Sequence, residues 1–242
     1  IYTMMTERDR YPAFRIPTVC IPASIDNNLP GSELSIGTDT ALNVIVEAMD
    51  KIKESGIASR RCFVVETMGR DCGYLALMSG IAAGAERIYT NEDGISLDDL
   101  ANDVHWLRES FAHGRRLFLA VRNENASHNY TTDFIARLLE EESHGMYDVR
   151  QVVLGHMQQG GSPSPFDRLL ANRLGYRALN LIDDELAAHQ DGSWFIGVNE
   201  SGMRPCSMDT MPSLIDAAHR RPREQWWLQL RTIARMVSDE VR

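Results

Sequence analysis

Several short segments gather side chains able to hold a polyol or an anion and to move a proton. Ser24-Ile25-Asp26-Asn27-Asn28 supplies a hydroxyl, a carboxylate and two amides in one stretch. With a reference pKa of about 3.9 an aspartate is ionised at neutral pH, so Asp26 can accept a proton while its neighbours hydrogen-bond a sugar-like ligand. The same residue types also build turns that satisfy only their own backbone. Met68-Gly69-Arg70 joins a glycine, which lets a ligand approach the chain, to a cation just before a helix start, where anions are favoured. Its bland alternative is a turn with a solvated arginine. Arg122-Asn123-Glu124 is a third polar group, and His156 with Gln158, Gln159, Gly160 and Gly161 a fourth. Arg150 and His156 share a strand parity but lie too far apart to touch one small group unless the chain bends, which Gly155 permits. Arg60 and Arg61 are surface cations by default and phosphate ligands if they lie at an interface, and Arg220 is another cation that sequence alone leaves on the surface.

These groups need elements that bring them together. Residues 16–22 read as a strand, and 38–55 as an amphipathic helix with Leu42, Ile45, Val46, Met49 and Ile52 on one face. Residues 62–66 read as a second strand, after which Gly69 and Gly73 turn the chain into a buried helix over 75–85. Ser96 with Asp99 marks a helix start, and Leu97, Leu100, Val104, Leu107 and Phe111 form its stripe. A strand over 117–121 and a helix over 132–142, stopped at Gly145, come next. A strand over 149–154 then leads to a helix with Ser164 as N-cap and Pro165 as first residue. A short strand over 195–198 precedes a terminal helix opened by Pro222 and carrying Trp226 and Trp227. Such alternation predicts an α/β fold with a largely parallel sheet and helices on both faces. Open sheets of this kind bind ligands outside the carboxyl ends of their strands, so the polar loops after the strands are expected to converge on one crevice.

Composition sets limits. The 242 residues suffice for a large core, and 43% hydrophobic with 24% charged residues is ordinary for a globular chain. A net charge of −9 argues against nucleic acid or an anionic membrane as partner, both of which call for a basic excess. Cys20, Cys62, Cys72 and Cys206 show neither a Cys-x-x-Cys pair nor zinc spacing with histidine, so no metal site is expected and reduced thiols in the cytoplasm are. No apolar run reaches the ~18 residues of a membrane span. A P-loop and the three-glycine dinucleotide fingerprint are both absent. The opening Ile1-Tyr2-Thr3-Met4-Met5 is neither a basic leader nor an initiator methionine; it reads as the middle of a helix, and a fragment is expected.

At the polar loops the sequence resembles the phosphofructokinase family. The resemblance is carried by PASIDNNLPG (22–31), SIGTDTALN (35–43), VVETMGRDCGYLAL (64–77), VRNE (121–124) and LGHMQQGGSPSPFDR (154–168). The segment Arg221-Pro222-Arg223-Glu224-Gln225-Trp226-Trp227-Leu228 is most similar to the C-terminal halves of the duplicated eukaryotic enzymes. The resemblance implies two lobes, the nucleotide-binding start missing: 1–37 with 158–212 as the remainder of a nucleotide-side lobe, and 38–157 with 213–242 as a sugar-phosphate lobe. It implies transfer of a phosphoryl group from ATP, with Mg2+, to the 1-hydroxyl of fructose 6-phosphate. Asp26 then matches the base, and Arg70 faces the transferred group. Ser24, Ile25 and Asn28 line the sugar or phosphate beside Asp26, as do Met68 and Gly69 beside Arg70. Glu124 accepts a sugar hydroxyl, and His156 binds the 6-phosphate. Arg61 and Arg150 reach that phosphate from a neighbouring copy in a homo-tetramer, and Arg220 is a further phosphate ligand. Ala23 stands where pyrophosphate-using members have lysine, which favours ATP as donor.

Three departures bear on this reading. The family's glycine-rich nucleotide loops are expected to precede Ile1. Asn28 stands where catalytic forms have a second aspartate, and Gln159 where they have an arginine. The last two features suit an alternative, a regulatory half that binds fructose 2,6-bisphosphate. Asp26 favours the catalytic reading, because a carboxylate serves the proton transfer and would repel an extra phosphate.

Overall fold

The computed structural model describes residues 2–56, 59–199 and 201–237. In chain order the elements are α1 (Tyr2–Thr6), β1 (Thr18–Cys20), α2 (Thr38–Gly56), β2 (Arg61–Thr67), α3 (Tyr74–Ala83), β3 (Arg87–Tyr89), α4 (Leu97–Ala112), β4 (Leu117–Asn123), α5 (Thr132–Glu142), β5 (Asp148–Val153) and α6 (Pro165–Ala187), followed by β6 (Ser193–Asn199), β7 (Gly202–Ser207), α7 (Met211–Leu214), β8 (Ile215–Asp216), β9 (Arg221–Pro222) and α8 (Arg231–Val237). They form two compact units, Ile1–Asp39 with Pro163–Trp226 and Thr40–Ser162 with Trp227–Arg242. Against the lobes expected from sequence, 158–162 lie with the second unit, and 38–39 and 213–226 with the first. Ile1 and residues 238–242 of those expected lobes lie outside the described residues.

The second unit is built on a four-stranded sheet in the order β3-β4-β2-β5, every neighbouring pair parallel. Val64 of β2 stands opposite Ala120 of β4 and Gln151 of β5. On one face Cys62, Val64, Phe118 and Ala120 pack against Leu100, Leu107 and Phe111 of α4 and Ile135 and Leu139 of α5. Alternation sends Phe63, Val65, Leu119 and Val121 to the other face, and these are buried too, as a parallel sheet requires. Each such large side chain contributes about 1.5–3 kcal/mol by leaving water. The start of α4 is held by a capping box: Ser96 accepts from the Asp99 N–H, and the Asp99 carboxylate accepts from the Ser96 N–H. Ala41, Ile45 and Met49 are the most buried positions of α2, one turn apart.

The first unit carries a three-stranded sheet, β1-β6-β7, with β1 parallel and β7 antiparallel to β6. Leu170, Leu174 and Ala178 of α6 pack on Ile196 of β6. Ser164 caps α6 by accepting from the Asp167 N–H at 3.1 Å, with Pro165 at its first turn. Gly197 admits the Gly31 carbonyl so closely that no side chain fits between them.

The structure departs from the sequence-based elements in four places. The strand expected over 16–22 shrinks to β1, because Ile16 and Ile21 face solvent. Leu97 is 61% exposed, since the capping box places it at the outer edge of the first turn. Strands β3 and β7 were not expected. The first is three residues beginning with a charge, and the second contains Pro205, which an edge strand tolerates. The terminal helix does not open at Pro222, which pairs with Ile215 in the β8–β9 ladder. Residues Trp226–Leu230 form a 3-10 turn, and α8 begins only at Arg231. Tertiary seats for the two tryptophans override helix propensity there. Trp226 Nε1 donates to the Glu33 carbonyl at 3.0 Å, while Trp227 is buried edge-on against Tyr74.

Candidate functional site

In the second unit, three of the polar loops follow adjacent parallel strands, so their positions are set by the carboxyl ends of β2, β4 and β5. Directly after β2 the chain turns tightly: Gly69 has φ of +132° and Arg70 φ of +50°, and the Cys72 N–H donates to the Gly69 carbonyl at 2.9 Å. A Cβ at Gly69 would collide with the Cys72 carbonyl and come within 2.9 Å of the Asn123 side-chain amide. A non-glycine residue in the left-handed region costs about 1–3 kcal/mol, so the conformation of Arg70 has to be held from outside. Glu124 does this, its Oε1 accepting from the Arg70 N–H at 2.7 Å. The Arg70 guanidinium is left in an exposed side chain beyond the turn.

Beneath the turn lies a set of buried polar groups. Asn123 Nδ2 faces the Met68 and Cys72 carbonyls at 3.4 and 3.5 Å. Arg122 is 1% exposed and spends its fork on Glu66 Oε2 (2.9 Å), the Glu124 carbonyl (3.0 Å), the Ser127 carbonyl (2.6 Å) and the Tyr130 carbonyl (3.2 Å). Burial pushes its guanidinium pKa down while Glu66 pushes it back up, the ordinary contest for a paired buried charge. Glu92 accepts from the Gly73 N–H with both oxygens, at 3.1 and 3.0 Å. After β5, the Leu154 N–H prolongs the ladder to the Glu66 carbonyl, and Gly155–Gln159 form a 3-10 turn. Gln158, buried, accepts from the Met68 N–H at 3.1 Å; His156 and Gln159 on the same turn are exposed.

Arg61 and Arg150 lie elsewhere on this sheet. Arg61 opens β2 at the end opposite Met68, seven residues away along the chain, or roughly 23 Å. Arg150 stands opposite Phe63, so in-register alternation puts it on the same sheet face as Arg61. Arg61 Nη1 donates to the Ser55 carbonyl at 3.3 Å, and Arg150 Nη1 to its neighbour Val149's carbonyl at 2.7 Å. Arg60 is structural, lying over the Phe111 ring and bonding the Phe111 carbonyl.

In the first unit, Ser24–Asn28 follows β1 as a hydroxyl-stabilised turn. The Asp26 N–H donates to Ser24 Oγ at 3.3 Å, Ser24 Oγ donates to Asn28 Oδ1 at 3.2 Å, and Thr38 Oγ1 donates to the Ser24 carbonyl at 2.8 Å. Asn27 is buried at φ +52° and donates to the Glu33 carbonyl at 2.7 Å. The Ser24 and Asn28 side chains thus shape the turn, as the bland reading foresaw, and Ile25 and Asp26 are half-buried within it. Asn28 Nδ2 also donates to the Arg220 carbonyl at 3.3 Å, bringing the β8–β9 loop to this turn. Arg220 has φ of +51° and an exposed side chain. Its loop is anchored by Asp216, whose carboxyl is held below its ordinary range by the hydrogen bond from the His219 ring.

The family model described as Phosphofructokinase matches residues 2–182. The chain belongs to the phosphofructokinase family. It is 42% identical over 241 residues to the platelet-type ATP-dependent 6-phosphofructokinase of Rattus norvegicus, covering 96% of this chain and 31% of that protein. To the muscle-type ATP-dependent 6-phosphofructokinase of Homo sapiens it is 42% identical over 246 residues, covering 97% and 32%. The solved phosphofructokinase of Saccharomyces cerevisiae superposes with a TM-score of 0.94 at 35% identity, covering 99% of this chain and 33% of that one. The chain therefore spans about a third of the length of these relatives. The chain adds to the sequence-predicted residues a supporting one that sequence reasoning missed, Glu66, and gives Arg122, Asn123 and Gln158, read from sequence only as members of polar loops, the task of bracing those loops. The available signal was polar residues at the carboxyl ends of otherwise apolar strands, where nothing apolar explains them.

Proposed function

We propose that the chain supplies the sugar-phosphate-binding part of an ATP-dependent 6-phosphofructokinase, which transfers a phosphoryl group from ATP to the 1-hydroxyl of fructose 6-phosphate. Asp26 carries the reading: a half-buried carboxylate on a braced turn, in a chain 42% identical to relatives named for that activity. Asp26 takes the proton of the 1-hydroxyl, since phosphoryl transfer asks the protein mainly for positioning, charge stabilisation and one group to orient or deprotonate the nucleophile. Arg70 faces the transferred phosphoryl group. Met68 and Gly69 line the sugar with backbone, as Ser24, Ile25 and Asn28 do beside Asp26. Glu124 accepts a sugar hydroxyl with the oxygen that does not hold Arg70. His156 and Gln159 meet the 6-phosphate end, with Arg220 as a further cation. Arg61 and Arg150, sharing one sheet face away from these loops, serve the 6-phosphate of a neighbouring copy in a homo-oligomer, a tetramer by family resemblance.

Among the described residues no group of His, Cys, Asp or Glu side chains is arranged to hold a metal ion. In the proposed reaction Mg2+ enters with ATP, as the family resemblance implies. No described helix is long and apolar enough to cross a membrane; a cytoplasmic, glycolytic setting follows from the proposed activity.

In the complete protein, Asp26→Asn is expected to lower turnover at least ~10²-fold while sugar-phosphate binding, read by calorimetry, stays largely intact. Unchanged turnover overturns the catalytic role. Loss of activation by fructose 2,6-bisphosphate with catalysis otherwise normal assigns the site to regulation instead.

A further inference from the structure

We propose that Gln158 is a positioning residue that sets the two ends of the substrate site against each other, an inference that rests on the reading above. Gln158 is 1% exposed, unlike His156 and Gln159 on the same turn. Its Oε1 accepts from the Met68 N–H at 3.1 Å, and its Nε2 donates to the Gly155 carbonyl at 2.9 Å. These two bonds fix which way the amide points, because the reversed amide would set donor against donor and acceptor against acceptor. One rigid side chain therefore links the backbone of the Met68–Arg70 turn to the turn that carries His156.

Both linked segments have backbone that needs holding. Met68 precedes Gly69 and Arg70 at positive φ, and Gly155 itself has φ of +52°. Asn123 and Glu124 brace the first turn from β4, and the Leu154 N–H ties the second to Glu66. Gln158 joins the two directly. In the proposed reaction the Met68–Arg70 turn faces the transferred phosphoryl group and His156 the 6-phosphate. Gln158 thus sets the spacing between the groups that read the substrate's two ends, without touching the substrate.

The two hydrogen bonds can be separated by substitution in the complete enzyme. Gln158→Leu removes both, and is expected to raise the KM for fructose 6-phosphate about tenfold and to lower kcat by a similar factor. Gln158→Glu keeps an acceptor for Met68 and loses the donor to Gly155, so KM should rise while kcat stays within about threefold of the wild type. A double-mutant cycle with His156→Ala supplies the decisive reading. If Gln158 acts by placing His156 against the Met68–Arg70 turn, Gln158→Leu raises KM clearly less once His156 is gone. Additive effects on KM, or equal losses of kcat in the Leu and Glu variants, overturn the proposal. Asp26→Asn measured alongside keeps the two claims apart. A normal turnover there sinks the catalytic reading, whereas its loss together with an additive Gln158 cycle sinks only the coupling.

Discussion

At the scale of single residues, the functional loops are places where the backbone leaves its comfortable regions. Asn27, Arg70 and Arg220 are non-glycine residues at positive φ, and each lies in a loop assigned to ligand binding. His144 and His189, the other two, simply follow the ends of α5 and α6. Strain of about 1–3 kcal/mol per residue persists only where surrounding bonds over-determine it, as Glu124 does for Arg70. Gly69 tolerates substitution poorly, because both its φ and its surroundings refuse a Cβ. Gly69→Ala is expected to destabilise the protein by about 2 kcal/mol or more, measured by urea unfolding, and to lower turnover with it. A fully stable variant would show that the turn can relax without cost.

At the scale of elements, β2 and β4 end in polar residues that lock to one another, and Gln158 ties the turn after β5 to the turn after β2, so the sheet presents its loops as one braced rim. Arg122 is central to this, bonding Glu66 on β2 and three carbonyls of the segment after β4. Removing it takes the cation from Glu66, which keeps only the Thr132 hydroxyl, and leaves those carbonyls without their donor. Arg122→Met should therefore cost about 3 kcal/mol of stability, and adding Glu66→Gln should recover part of the loss. Thermal unfolding of the single and double variants checks both statements. By contrast the caps of α4 and α6 are local devices, worth about 1 kcal/mol each, and hold helices rather than the site.

At the scale of the molecule, the proposed function requires an acidic chain to attract a phosphorylated ligand. Its net charge is −9, and Lys51 and Lys53 are its only lysines, so the cationic work falls to arginine. The planar guanidinium fork suits phosphate better than an ammonium does. Arg61 and Arg150, on one face at the far side of the sheet from Met68–Arg70, cannot serve that turn's own site from where they stand. If they reach a neighbour's phosphate, Arg150→Ala raises the KM for fructose 6-phosphate at least about tenfold while leaving stability near wild type. Co-expressing Arg150→Ala with Asp26→Asn should then restore activity, because mixed oligomers contain sites with both groups intact. Absence of restoration would place Arg150 in its own chain's site.

Residue pattern was enough to read the alternation of strands and helices, the capped starts of α4 and α6, and the polar loops that follow the strands. These follow from local periodicity and from turn and cap chemistry, which short stretches of chain contain in full. The roles of Asp26, Arg70 and His156 came from motif resemblance rather than from periodicity. What only the tertiary structure decided depends on residues far apart in sequence. The seats of Trp226 and Trp227 broke the expected terminal helix, and the edge positions of β3 and β7 made strands of segments that look unlike them. Burial separated Gln158 from its exposed twin Gln159, a distinction no local pattern carries because the two are the same amino acid one position apart. It is set by which of them faces Met68, ninety residues away in the chain.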